Sequence, residues 1–266
     1  MAEYAELHCH SAYSFQEGAS HVHELVARAR ALGYPALALT DHDNLVGALE
    51  FAKAAKALGV KPVTGAEVTL RGGHHLTLLA ATREGYNHLS RLLSYAHTQT
   101  GRRHPELDES LLAAHAGGLI ALSGCAKGEV PALTAAGRRL EAEAAAVRYQ
   151  GWFGDAFYLE LQHNLVHGDD ARLKGLRALG GRLGIPVAAT NNATSVQLFR
   201  PTADAGLPLS ELSVRLAGGR VTLNGRRSVD PNRPPRRLRY SWSQLAGPPV
   251  TLSDPAEATP SFIPPG

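Results

Sequence analysis

Short apolar runs that end in polar residues recur along the first two thirds of the chain. They stand at Tyr4–Leu7, Ala36–Thr40, Val63–Leu70, Leu76–Ala80, Leu119–Ser123, Phe157–Leu161 and Pro186–Thr190. Between them lie stretches rich in Ala, Leu, Arg and Glu, at His21–Leu32, Leu45–Leu58, Glu84–His97, Arg138–Tyr149 and Asp169–Leu183. The first pattern predicts strands and the second predicts helices. Several helical stretches stop at glycine, as at Leu32-Gly33, Leu58-Gly59 and Leu183-Gly184, where a left-handed residue closes the last turn. Strand–helix alternation of this extent predicts a parallel sheet, open or closed into a barrel. Polar residues follow almost every strand at its C-terminal end, which favours a barrel, because barrels of alternating strands and helices carry their chemistry there.

Beyond about residue 194 the pattern stops. Residues 195–266 hold eleven of the sixteen prolines, nine arginines, no lysine and five acidic residues, a net charge of +4. Residues 1–194 carry a net charge of −1 and all thirteen histidines, between His8 and His167. The slightly basic whole is therefore a property of the tail, and a domain boundary is placed near 194. Runs such as Pro231-Asn232-Arg233-Pro234-Pro235-Arg236-Arg237 and Pro248-Pro249 cannot continue helices or central strands, so 195–266 is read as an irregular or disordered tail. No run of 18 apolar residues predicts a membrane span, and the start, MAEYAELHCH, does not read as a secretory leader. Two cysteines in 266 residues suit a reducing compartment rather than a disulfide framework. A cytoplasmic location is expected.

The candidate chemistry clusters at strand ends. His8-Cys9-His10 closes the first strand, and residues two apart on a strand share a face, so both imidazoles can reach one ion. Asp41-His42-Asp43 follows the second strand, Glu67 lies on the third, His74-His75 opens the fourth, and Cys125 follows the fifth in Leu122-Ser123-Gly124-Cys125. Nitrogen, carboxylate and thiolate donors together suit zinc, with manganese or iron as alternatives. Cys9 alternates away from His8 and His10 and is expected in the core. His21 and His23 are expected to start a helix capped by Ser20. His88, His97, His104 and His115 lie on or beside helices and are read as structural or solvated, while Gln162-His163-Asn164 could line a pocket. Neither a GxxxxGK[ST] nor a GxGxxG phosphate loop occurs.

These residues resemble a known family. His8-Cys9-His10-Ser11, Ser14-Phe15-Gln16-Glu17-Gly18, Thr40-Asp41-His42-Asp43, Gly65-Ala66-Glu67, His75 to Ala80, Arg83-Glu84-Gly85-Tyr86 and Ala121 to Cys125 resemble the PHP domain of bacterial DNA polymerase III alpha subunits, DnaE type. The runs Gly18-Ala19-Ser20-His21 and Glu160-Leu161-Gln162-His163 are similar to the error-prone, translesion branch. The resemblance covers about residues 4–192. It implies a distorted (β/α)7 TIM-like barrel with up to three metal ions at the C-terminal face, Zn2+ or Mn2+. Carried over position by position, the ligands fall on His8, His10, Glu17, His42, Glu67, His75 and Cys125, with catalysis resting on Glu67 and His42. The closing motif Thr-Asn-Asp-x-His-Tyr reads Thr190-Asn191-Asn192-Ala193-Thr194-Ser195 here. Asn192 and Thr194 thus stand where the family has Asp and His, two weaker ligands, which predicts fewer ions and an impaired site.

By resemblance the chain is a fragment of an error-prone polymerase of DNA replication and translesion repair, with a metal-dependent phosphoesterase or 3′–5′ exonuclease site. Its expected partners are DNA or a phosphate ester, and polymerase domains or replisome subunits in the parent protein. The coincidence of the departure with the composition break predicts a gene truncated or shifted in frame near codon 192, which sequencing the locus tests. Two alternatives stay open: a non-catalytic structural or partner-binding remnant, and a free-standing PHP phosphatase acting on a small phosphate ester.

Overall fold

The computed structural model describes residues 4–100, 105–164 and 168–191 and, beyond those, 221–222, 251, 253–254, 256 and 261–262. The chain divides into two compact units, Met1–Leu198 and Phe199–Gly266.

In the first unit six strands among the described residues form one sheet in chain order. They are β1 (Ala36–Leu39), β2 (Lys61–Thr69), β3 (His75–Ala80), β4 (Leu119–Leu122), β5 (Phe157–Gln162) and β6 (Val187–Thr190). The pairs β1–β2, β4–β5 and β5–β6 are parallel, but β2–β3 and β3–β4 are antiparallel. The expectation of an all-parallel sheet therefore fails at β3. The link from β2 to β3 turns through Gly72 and Gly73, both at positive φ, and is far too short for the crossover that a parallel pair needs.

The run expected as the first strand is an extended segment joined to β1 by a parallel bridge from Glu6 to Leu37. Ala38 N–H donates to the Glu6 carbonyl at 2.8 Å and Thr40 N–H to that of Cys9 at 2.8 Å. On its other side the Glu6 carboxylate accepts the N–H of Asn191, just past β6, at 3.1 Å. One short N-terminal segment thus meets both ends of the sheet, and the α/β fold is a distorted, curled TIM-like barrel.

Among the described residues seven α-helices pack around it: α1 (Val22–Ala31), α2 (Ala48–Leu58), α3 (Arg83–Gln99), α4 (Glu109–Ala114), α5 (Glu129–Ala135), α6 (Arg139–Phe153) and α7 (Asp169–Leu183). The short α4 and α5 span six and seven residues, too few for a 3.6-residue period to stand out in sequence. Helix α1 is entered through His21, not Ser20, with the Glu24 carboxylate accepting His21 N–H at 2.8 Å. Helices α2 and α7 end at left-handed Gly59 and Gly184, as their sequences predict.

Alternation along the strands builds two environments. One face of β3, β4 and β5 supplies Leu76, Leu78, Leu119, Ala121, Phe157 and Leu159 to the main apolar core, with Leu89, Leu92, Ala145 and Tyr149 from the helices. The opposite face carries an apolar floor of Ala38, Leu79 and Leu122, packed by Val63, Ile120 and Tyr158. Further along the same face the residues become Glu67, Thr77, Glu160 and Thr190, all buried. A polar layer over an apolar floor places the chemistry at one end of the curl.

In the second unit, β7 (Val221–Thr222) pairs antiparallel with β8 (Ser261–Phe262). The reading of 195–266 as an irregular tail otherwise lies outside the described residues. Among the described residues, no helix is long and apolar enough to cross a membrane.

Candidate metal centre

Every group in the centre is delivered by a strand end or the loop after it. The N-terminal segment brings His8 and His10 to one side, with rings stacked at a centroid separation of 5.1 Å. His42 follows β1 and forms a parallel bridge to Glu67 of β2. His75 opens β3, directly beside the end of β2 in the register Thr69 to His75. Four imidazoles therefore surround one carboxylate. Glu67 Oε1 lies 3.5 Å from His8 Nε2, and Glu67 Oε2 lies 3.6 Å from His10 Nε2, 3.7 Å from His42 Nδ1 and 3.3 Å from His75 Nδ1.

Two triads with potential to hold an ion result, His8–His10–Glu67 and His42–Glu67–His75, and Glu67 belongs to both. A tetrahedral ion about 2.1 Å from each donor sets its donors roughly 3.4 Å apart. The separations from Glu67 to the four imidazoles, 3.3 to 3.7 Å, lie close to that value. Glu67 Oε1 is buried without a hydrogen-bond partner among the described residues, and a buried oxygen left unpaired is costly unless something cationic meets it. The donor set and this orphaned oxygen fit a divalent cation.

The charge state of the centre follows from its neighbours. Burial disfavours charge on Glu67, but His8, His75 and His10 outweigh it and hold the carboxyl well below its usual range. Burial also pulls His8 down, yet Glu160 and Glu67 carry it up to about 9. His10 is lowered to about 4 by burial and by the adjacent His8. The two Nε2 atoms stand 3.0 Å apart, so a charged His8 donates to a neutral His10. His42 is likewise opposed by burial and lifted to about 9 by Asp43 and Glu17. Glu17 feels some burial but is held low by His42 and Lys127.

The flanking residues orient these rings. Asp41, buried, accepts Ser11 N–H at 2.7 Å, Ser11 Oγ–H at 2.8 Å and Ser14 Oγ–H at 2.7 Å. Ser14 Oγ in turn stands 3.2 Å from His10 Nδ1. Asp41 thus pins the loop that follows His10, where Gly18 passes so close that a Cβ would come within 1.8 Å of the Ser11 carbonyl oxygen. Asp43 accepts Thr69 N–H at 2.7 Å and Thr69 Oγ1–H at 2.8 Å, and it lies 3.2 Å from His42 Nε2. This leaves His42 Nδ1 directed at Glu17 and Glu67.

Of the seven ligand positions implied by resemblance, His8, His10, His42, Glu67 and His75 fall within the two triads. Glu17 is half-buried at the rim, 2.7 Å from His42 Nδ1 and 3.3 Å from Lys127 Nζ. Cys125 Sγ stands 4.0 Å from His75 Nδ1 and accepts Lys127 N–H at 3.4 Å, and burial with nearby Glu67 pushes its thiol up. Asn192 and Thr194 lie outside the described residues.

Other candidates separate. Strand alternation turns His74 out of the centre, its Nδ1 3.2 Å from the Lys127 carbonyl. His163 turns outward to Asp170 at 3.0 Å, while Gln162 is buried 3.1 Å from His8 Nδ1. Cys9 is buried, as its alternation predicts. Glu160 escaped the residue-by-residue reading altogether. Its signal was a lone carboxylate inside the apolar strand Phe157–Gln162, on the same alternation as Gln162.

The PHP domain family model matches residues 6–164, more than half of the chain, and the chain belongs to that family. Curated relatives are DNA polymerases. The chain is 45% identical over 205 residues to the error-prone DNA polymerase of Symbiobacterium thermophilum, a match covering 71% of the chain and 19% of that protein. It is 41% identical over 207 residues to the DNA polymerase III subunit alpha of Treponema pallidum, covering 71% and 17%. With the error-prone DNA polymerase of Mycobacterium tuberculosis it is 40% identical over 240 residues, covering 85% and 21%. The 85% of this chain exceeds what residues 1–194 make up, so this similarity runs into the tail. The chain spans about a fifth of the length of these relatives. Among solved structures, a candidate metal-dependent phosphoesterase from Bifidobacterium adolescentis superposes with a TM-score of 0.52 at 17% identity, covering 73% of this chain and 88% of that one. That likeness concerns the fold.

Proposed function

We propose that the centre is a metal-dependent phosphoesterase site, and that its substrate is a phosphodiester of DNA, cleaved from a 3′ end in a polymerase context. The observation that carries this reading is Glu67, one buried carboxylate shared by two histidine triads with one oxygen lacking a hydrogen bond among the described residues. Donors of nitrogen and oxygen at these separations, with a thiol beside them, suit Zn2+, and Mn2+ second. Bound ions would supply an acidified water and charge neutralisation at a phosphoryl group. The chain's own residues supply the rest. Glu67 provides the negative charge common to both triads, with His8, His10, His42 and His75 as nitrogen donors. Asp41, through Ser14, and Asp43, through Thr69, hold His10 and His42 in place. Lys127 is exposed at the rim beside Glu17, where its ammonium can meet a phosphate oxygen.

The body carries a net charge of −1 over residues 1–194, so affinity for a DNA backbone rests on a few contacts rather than on a basic face. A second reading, a non-catalytic structural domain, is favoured by Asn192 and Thr194 at the two positions where the resemblance has Asp and His. The test is hydrolysis of bis-p-nitrophenyl phosphate and of a 3′-labelled single strand by the chain stripped of metal and then loaded with zinc or manganese. Metal-dependent release that disappears in Glu67→Gln supports the phosphoesterase reading. Stoichiometric ion binding with no hydrolysis of either substrate supports the structural one.

A further inference from the structure

From the polar layer of the barrel we infer that Glu160 is the positioning residue of the His8–His10–Glu67 triad, fixing the ring and proton of His8 so that its Nε2 faces the ion. This rests on the reading of the centre as an ion site. Glu160 lies on β5, on the far side of His8 from Glu67, and its side chain is completely buried. Its Oε1 is 2.7 Å from His8 Nδ1. The same oxygen accepts Thr190 Oγ1–H at 2.6 Å and Gln162 Nε2–H at 2.8 Å, and Thr77 Oγ1–H reaches Oε2 at 3.4 Å. Strands β3, β5 and β6 therefore each place a donor on one carboxylate.

Chemistry settles which way the His8 ring is protonated. Gln162 Nε2 is a donor only, and it lies 3.1 Å from His8 Nδ1. An ionised carboxylate only accepts, so Glu160 Oε1, at 2.7 Å the nearer partner of His8 Nδ1, takes a proton from that nitrogen, and Gln162 Nε2–H gives its own to the same oxygen at 2.8 Å. Nδ1 accordingly carries a proton given to Glu160, and the lone pair of a neutral His8 is on Nε2. That atom faces His10 Nε2 at 3.0 Å and Glu67 Oε1 at 3.5 Å. A carboxylate behind a ligating imidazole fixes its tautomer and raises its basicity, and removing such a partner weakens ion affinity roughly 10–100-fold.

Stability alone does not account for the arrangement. A buried ion pair generally contributes no more than a well-packed apolar pair of the same volume, and the neighbouring floor of the barrel is apolar. Glu160 touches neither His42 nor His75 in the second triad, so a positioning role predicts an effect confined to the first.

The test separates the triads. In a His75→Ala chain, which keeps only the first triad, Glu160→Gln should weaken zinc or cobalt binding by tenfold or more and alter the cobalt d–d spectrum. In a His10→Ala chain, which keeps only the second, the same substitution should change affinity less than twofold. Gln preserves shape but presents its amide to four donors that a carboxylate accepts. Equal losses in both backgrounds, or none in either, overturn the inference while leaving the ion-site reading intact. Should Glu160→Gln fail to fold, Thr190→Val removes one bond to Oε1 and should produce a smaller loss with the same selectivity. If the wild-type chain binds no ion, the reading of the centre falls. The inference is then decided on the metal-free chain by nitrogen-15 NMR of His8, where a protected Nδ1–H that Thr190→Val exposes supports positioning and unchanged exchange refutes it.

Discussion

Replacing Glu67 by Gln is the most informative single change, because that carboxylate is common to both triads. Its magnitude follows from charge. A unit charge and a divalent ion about 4 Å apart attract by roughly 8 kcal/mol at an effective dielectric of about 20. Against this, removing Glu67 also eases the proton that an ion must displace from His8 in the first triad and from His42 in the second, both held up to about 9, which at pH 7 offsets at most about 3 kcal/mol. Desolvation of Glu67 does not enter, since it is buried whether or not an ion is present. About 5 kcal/mol of attraction remains, part of which the neutral amide oxygen of Gln retains. A weakening of at least roughly a hundredfold, about 3 kcal/mol, is therefore expected at each triad. The assay is zinc binding by competition with a chromogenic chelator, with elemental analysis after dialysis against a fixed free-zinc buffer. The native chain should hold at least two ions, His10→Ala one fewer, and Glu67→Gln none at the same free zinc. If Glu67→Gln kept both ions with affinities within threefold of native, the shared-carboxylate geometry would be wrong.

Three further outcomes are expected. Because His8 and His42 have their pKa raised to about 9 without an ion, their contribution to stability is complete below about 6.5 and is lost as pH rises through 9. The thermal midpoint of the chelated chain should fall across that window while zinc affinity rises, by up to about tenfold per pH unit at each triad; parallel pH trends in the two measurements would contradict the assignment. Asp41→Ala removes the acceptor of three buried hydrogen bonds and should lower stability by about 3 kcal/mol, read as a urea midpoint, with less than about 1 kcal/mol speaking against its pinning role. Leu78→Ala, at a fully buried position in the main core, should reduce stability by roughly 2–5 kcal/mol without changing zinc stoichiometry, and a loss of ions there would tie the core to the centre more closely than the structure does.

The elements with a long or clean period were readable. The strand at Ala36–Leu39 and helices α2, α3, α6 and α7 fall where apolar spacing and terminal glycines place them. What local reading missed is short or antiparallel. Helices α4 and α5 carry too few turns to show a period, and β3 reverses direction because the turn before it is too short for a crossover. In the site the same division holds. His8 and His10 share a face by two-residue alternation, and that is visible in sequence. Glu160 lies 152 positions away from His8, and no local spacing connects them.

Periodicity determined by itself an α/β chain whose sheet is open or closed into a barrel, composition a break in character near 194, and the order of His, Asp, Glu and Cys at strand ends a set of ion-binding candidates, while the family came from the resemblance of the motifs. Those are local properties, encoded by the chemistry of neighbouring residues. Only the tertiary structure decided that His74 turns away while His75 enters, that Asp41 holds a loop rather than facing an ion, and that Glu67 serves two triads. Curling the sheet brings strand ends from distant parts of the chain within 3–4 Å, and at such separations the charge of each group is set by its neighbours in space. Burial then decides which of them are hydrogen-bonded: Glu160 finds three strands' donors and His8, whereas Glu67 Oε1 finds no hydrogen bond among the described residues.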